Sequence, residues 1–164
     1  FIIAEIQYRI GDIVSLGVAS KDVSGTVEDV SIRITRLRDL DGNTHIIPNG
    51  SIMVTSNLSF DFANVNIDVG VGYEADIDHV EKVINMVGKK LAEDEQWKQH
   101  IFEPIQFLRV DAFDESSVRV KALGKVEPSQ QWGVAGEYRR RLNKAFEKES
   151  IKIPYNQVVI REGK

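Results

Sequence analysis

Histidines and carboxylates are the side chains of this 164-residue chain that could carry catalysis or bind a metal. The three histidines, His45, His79 and His100, have no partner at the four-residue spacing that places two metal ligands on one helix face. Glu28 and Asp29 are adjacent on a predicted strand, so their side chains point to opposite faces and cannot flank one bond. The chain has no cysteine, which excludes disulfides and thiolate ligands. We therefore expect no enzyme activity, no metal and no cofactor.

A local basic cluster consists of Arg33, Arg36 and Arg38 on predicted strands. Three interpretations are open: an exposed face balanced by nearby acids, the wall of a chamber between assembled subunits that concentrates anions, or an RNA contact. No aromatic residue is interleaved with these arginines, so bases would find no stacking platform. The net charge of −4 also argues against a general nucleic-acid binder.

Short strands and turns are predicted in the first 62 residues. These elements would have to position the arginines of the basic cluster. The predicted strands cover residues 13–17, 24–32, 34–39, 44–47 and 53–60. Residues 18–24 carry Ser, Lys and Asp and are predicted to form an exposed loop. Several short strands at this close spacing are typical of a small barrel or sandwich.

Two tight corners are predicted between residues 36 and 50. Asp41-Gly42 indicates a two-residue type I′ hairpin turn, which needs positive φ at both central positions. Pro48 should end the following strand, because it cannot donate to a sheet ladder. Asn49-Gly50 then predicts a second sharp corner.

An α/β pattern begins near residue 65, after a predicted boundary at residues 61–64. Residues 65–73 alternate between apolar and other side chains, as in a half-buried strand. Asp76 is a candidate N-cap for a helix with one apolar stripe from Ile77 to Leu91. Strands are predicted at 105–113 and 118–123, followed by a helix that opens at Pro128-Ser129. The order β-α-β-β-α is most of a ferredoxin-like pattern, and a short strand at 157–161 follows it.

Several motifs in order resemble one protein family. They are the segments YRIGDIVSLG, SGTVEDVSIRI, TRLRDLDGNTHIIPNG and IPYNQVVI. Together they resemble the cytoplasmic part of the small-conductance mechanosensitive channel family, from about Tyr8 to about Ile160. Each motif alone is weak, whereas their succession is specific.

The resemblance implies an α+β fold and a division of the chain. Residues 1–8 would be the end of a pore helix whose upstream part, with the membrane-spanning helices, is absent. Residues 9–62 would form a small Sm-like or SH3-like β-domain, and 63–156 a ferredoxin-like α/β domain. Residues 157–164 would supply a C-terminal barrel strand and tail.

The resemblance also implies a function and its residues. The chain would belong to a homo-heptamer in the inner membrane, with this region facing the cytoplasm as a vestibule. The vestibule would assemble the oligomer, prefilter ions and small solutes, and couple to the gate of an osmotic release channel. Arg9 would pair with an acid between the membrane helices, and Asn49 and Gly50 would dock the pore helix in non-conducting states. The barrel strand would comprise Gln157, Val158, Val159, Ile160 and Arg161.

The alternative is a soluble RNA- or protein-binding module built from the same Sm-like and ferredoxin-like folds, since fold alone does not settle function. Upstream apolar sequence would favour the channel, and a basic face with exposed aromatic residues would favour RNA.

Overall fold

The computed structural model describes residues 7–155. The chain divides into two compact units, with the division between Ala63 and Asn64. Residues 1–6 and 156–164 lie outside the described part, and with them the predicted barrel strand at 157–161 and most of the predicted pore-helix end. Within residues 7–155, no helix has the length and apolar character needed to cross a membrane.

The first unit is a five-stranded antiparallel sheet. In chain order its strands are β1 (Ile13–Val18), β2 (Lys21–Val30), β3 (Ile34–Arg38), β4 (Thr44–Pro48) and β5 (Ile52–Asn57). They lie in the order β4-β3-β2-β1-β5, which leaves β4 and β5 at the edges. A single apolar core is formed by Tyr8, Val14, Leu16, Val27, Leu37 and Ile47. This is the small Sm-like β-domain expected from the sequence.

The exposed loop predicted at residues 18–24 is wrong. Strand β2 begins at Lys21, and Val18 already pairs with Lys21 across the hairpin. Only Ala19 and Ser20 form the turn, and Ala19 adopts a φ of 54° there. The start of β2 is polar because its side chains are solvent-exposed except for Val23, which packs against the core. A polar strand segment of this kind resembles a loop in sequence.

The hairpin between β3 and β4 is confirmed, but its predicted turn type is wrong. The amide of Gly42 donates to the carbonyl of Asp39 (3.1 Å), and the amide of Asp39 donates to the carbonyl of Asn43 (3.0 Å). The connection therefore has three residues, and of these only Gly42 has positive φ, at 83°. A β-turn followed by one left-handed residue is the common form of three-residue hairpin loops.

The second unit is the ferredoxin-like α/β domain expected from the sequence. Its elements are β6 (Ala63–Val71), α1 (Ile77–Glu93), β7 (Ile101–Phe113), β8 (Val118–Val126) and α2 (Gln131–Lys148). The three strands lie in the order β6-β8-β7. Strand β6 alternates between buried and exposed residues along most of its length, as the sequence pattern predicts.

Helix α1 follows its predicted apolar stripe, whereas helix α2 begins later than predicted. Asp76 caps α1, since its carboxylate accepts the amide of Asp78 (3.0 Å). Gly88 is buried on α1 beside the predicted apolar residues. Helix α2 begins at Gln131 rather than at Pro128-Ser129, because Ser129 adopts a φ of 73° that a helix cannot contain.

Candidate functional site

The corner after β4 is built around the side chain of Asn49. Pro48 is the last residue of β4, and Asn49–Ser51 form one turn of 3-10 helix. The side-chain amide of Asn49 donates to the carbonyl of Ser31 (2.8 Å) and to that of Ile32 (3.2 Å). Its backbone amide donates to the carbonyl of Arg33 (2.8 Å). Asn49 thus ties the corner to the turn between β2 and β3.

A buried hydroxyl lies behind Asn49. Thr35 Oγ1 donates to Asn49 Oδ1 (2.7 Å) and is also 2.7 Å from the hydroxyl of Tyr8. Apart from tyrosines, Thr35 is the one polar residue that is fully buried within residues 7–155. Burial raises the pKa of Tyr8, although the hydrogen bond with Thr35 partly opposes this. The sequence interpretation missed both residues, but Thr35 occupies an inward position of β3 beside Leu37, which is a detectable signal.

Gly50 is open to its surroundings. A Cβ added at Gly50 would meet no atom within 4 Å, and the residue does not have positive φ. The described chain therefore imposes no need for glycine here, and the space above the backbone is free for another segment.

Arg9 begins a turn that leads into β1. Its amide donates to Asp12 Oδ2 (3.0 Å), and the amide of Asp12 donates to the carbonyl of Arg9 (3.1 Å). Gly11 completes the turn with a φ of 95°. The Arg9 residue is exposed, and its side chain has no acidic partner within residues 7–155.

The three arginines of the basic cluster do not act as one group. Arg38 makes two hydrogen bonds to the carboxylate of Glu28, and Arg36 Nε lies 3.5 Å from the same carboxylate. The hydrogen bond from Arg38 is the main reason that the pKa of Glu28 is lowered. Arg33 is exposed and has no acidic partner among the described residues. Only Arg36 and Arg38 are therefore brought together, and an acid of their own sheet balances them.

Each of the three histidines contacts a different carboxylate. The partner of His45 is Asp39 (Nε2 to Oδ2, 2.8 Å), that of His100 is Glu127 (Nδ1 to Oε2, 2.6 Å), and that of His79 is Glu149 (3.4 Å). The hydrogen bond with His45 is the main cause of the lowered pKa of Asp39. Within residues 7–155, no three metal-binding side chains are grouped together.

Two family models match the chain in succession. Residues 1–59 match the model described as mechanosensitive ion channel, beta-domain, and residues 65–153 match mechanosensitive ion channel MscS, C-terminal. The second match alone covers more than half of the chain. The chain belongs to the MscS family of mechanosensitive ion channels.

Individual relatives agree with this assignment. A small-conductance mechanosensitive channel from Caldanaerobacter subterraneus is 29% identical over 98% of this chain and 54% of its own length. An uncharacterized MscS family protein from Archaeoglobus fulgidus is 33% identical over the same shares of the two chains. The chain thus spans about half the length of these relatives.

Solved structures show the same fold. The closed-state crystal structure of Helicobacter pylori MscS superposes with a TM-score of 0.78 at 24% identity, covering 99% of this chain and 62% of that one. Arabidopsis thaliana MSL1 superposes with a TM-score of 0.63 at 14% identity, covering 94% of this chain and 56% of that one.

Proposed function

We propose that this chain is the cytoplasmic vestibule region of a tension-activated channel subunit that releases solutes after osmotic downshock. The observation that carries the proposal is the succession of the two family models along the chain, at residues 1–59 and 65–153. The relatives named as mechanosensitive channels are matched over nearly all of this chain. We keep residues 9–62 and 63–156 as the limits of the β-domain and the α/β domain.

Self-assembly into a ring is supported by the edge strands of the β-domain. Ile46 on β4 is 63% exposed, and Met53 and Val54 on β5 are 76% and 62% exposed. Edge strands that present apolar side chains to water need a partner to cover them. We propose that neighbouring copies of this chain cover these residues in a homo-heptamer, and that the strand at 157–161 adds a barrel at its base.

The corner at Asn49 and Gly50 is the proposed docking point for the end of the pore helix in non-conducting states. The open space above Gly50 supports this, because a second backbone can approach there without displacing any described atom. Arg9 is exposed and available for an acid between the membrane helices. Of the basic cluster, Arg33 is the residue free to contribute to a chamber wall that prefilters solutes, since Glu28 engages the other two arginines.

The test is electrical and osmotic. The intact protein is expressed in bacteria that lack their own mechanosensitive channels, and membrane patches are stretched by suction. We expect tension-activated current and improved survival of downshock. A protein that inserts and assembles without giving any current under tension would refute the proposal. Salt-sensitive binding of RNA by the same preparation would instead favour the soluble binding module.

A further inference from the structure

The hydrogen bonds from Tyr8 to the corner have one direction. The side-chain nitrogen of Asn49 donates to the carbonyls of Ser31 and Ile32, so Oδ1 is the atom that faces Thr35. An amide oxygen only accepts, so the single hydroxyl proton of Thr35 is given to Asn49. The hydroxyl of Tyr8 must therefore donate to Thr35 Oγ1 (2.7 Å).

This chain of bonds lies in the core of the β-domain. Tyr8 is 4% exposed and belongs to the same apolar cluster as Leu16 and Leu37, while Thr35 is fully buried. Water therefore cannot replace a lost partner at Thr35, and hydrogen bonds in series polarise and strengthen one another. Thr35 thus links the buried hydroxyl of Tyr8 to the side-chain carbonyl of Asn49.

Tyr8 also lies at the start of the β-domain. It precedes Arg9 and the turn that leads into β1, and its ring is anchored in the core. A displacement of the backbone before Arg9 that unseats Tyr8 would break its hydrogen bond to Thr35, which in turn donates to Asn49. The corner at residues 48–50 would sense that displacement although it is about 40 residues further along the chain.

We propose that Tyr8 and Thr35 are positioning residues that set the Asn49-Gly50 corner according to the position of the incoming chain. When Tyr8 is seated, Asn49 holds the turn at residues 31–33 and the corner is rigid. When Tyr8 is displaced, Thr35 Oγ1 loses its donor, the hydrogen bond from Thr35 to Asn49 weakens, and the corner loosens. This inference rests on the proposed docking role of the corner and adds the device that controls it.

The first experiment measures the corner itself by amide hydrogen exchange on the full-length protein in lipid. Tyr8→Phe removes only the hydroxyl, and we expect the amides of Ser31 and Asn49 to exchange about fivefold faster, as for the loss of one hydrogen bond. Tyr138→Phe is the matched control, because the buried Tyr138 hydroxyl donates to the carbonyl of Ile84 in the other unit (3.2 Å). It should leave the Ser31 and Asn49 amides unchanged.

Position 35 provides the second pair of variants. Thr35→Val keeps the shape of the side chain but removes both hydrogen bonds, and it should loosen the corner at least as much as Tyr8→Phe. Thr35→Ser keeps the hydroxyl and should preserve slow exchange. If Tyr8→Phe exchanges like the parent, Tyr8 does not position the corner and the inference is wrong, even if Thr35→Val fails to fold.

The last measurement separates this inference from the proposed function. In patches held under sustained tension, Tyr8→Phe should shift the balance away from the docked, non-conducting state by about fivefold, the same factor as in the exchange measurement. Tyr138→Phe should behave like the parent. A parent with no tension-activated current overturns the channel function. A conducting parent with a Tyr8→Phe variant that inactivates identically overturns the positioning role alone.

Discussion

Gly88 of helix α1 packs directly against the backbone of strand β7, and its replacement by alanine should destabilise the second unit. A Cβ at Gly88 would overlap the backbone carbonyl oxygen of Ile105 and lie 2.8 Å from its carbonyl carbon. Neither atom belongs to a flexible side chain, so the helix and the strand must move apart. Added atoms in a packed core cost up to about 3 kcal/mol. Alanine returns about 1 kcal/mol through its higher helix propensity. We expect a net loss of about 2 kcal/mol.

Gly136→Ala is the matched control on helix α2. A Cβ at Gly136 would meet no atom within 4 Å, so only the helix propensity should change. This variant should gain about 1 kcal/mol.

Tryptophan fluorescence reports selectively on this unit, because both tryptophans, Trp97 and Trp132, belong to it. In thermal unfolding, Gly88→Ala should lower the midpoint by about 10 °C, and Gly136→Ala should raise it by about 5 °C. Equal stabilisation by both substitutions would refute the close approach of α1 to β7.

Three further predictions concern the turn between β3 and β4, the pairing of Asp94 with Arg141, and the assembly of the oligomer. Gly42→Val should destabilise the β-domain by about 1 kcal/mol or more, because valine is strained at a φ of 83°; an unchanged denaturation midpoint by circular dichroism would show that the turn tolerates a β-branched residue. The hydrogen bond from Arg141 is the main cause of the lowered pKa of Asp94, so the stability that this pair contributes is present above about pH 4 and is lost as the pH falls through the folded pKa of Asp94. Urea unfolding of Asp94→Asn should therefore depend less on pH in this range than unfolding of the parent, and identical pH profiles would contradict the assignment. Deletion of the residues after Asn156 should weaken oligomerisation in sedimentation while circular dichroism stays unchanged; an oligomer as stable as the parent's would rule out the terminal strand as an assembly element.

Local periodicity predicted most of the secondary structure correctly. The alternation along β6 and the three-to-four spacing along α1 each reflect one element with one buried face, so neighbouring residues carry the whole signal. The cap at Asp76 was equally local, because the side chain bonds two residues away. The two wrong predictions in the β-domain occurred where the local signal is ambiguous. A polar strand start at Lys21 resembles a loop, and Asp41-Gly42 fits more than one hairpin turn.

The candidate site was predictable only in part. Asn49 and Gly50 were selected through the family resemblance, and the structure shows that they form a corner with open space above it. Arg36 and Arg38 lie together, but their shared contact with Glu28 depends on the register between β2 and β3. A register of this kind is a property of the assembled sheet, so the charge balance of the cluster could not be read from spacing alone.

The sequence by itself determined the elements, their order and the family, because each depends on short-range patterns or on motifs in succession. The tertiary structure alone decided which residues meet across the fold. The hydroxyl of Tyr8 reaches Thr35 across 27 positions, and Thr35 reaches Asn49 across 14. Gly88 appears in sequence as a weak point in a helix, and only the packing of α1 on Ile105 explains why it is there. Such contacts depend on distances of a few ångströms between distant segments, which no local pattern encodes.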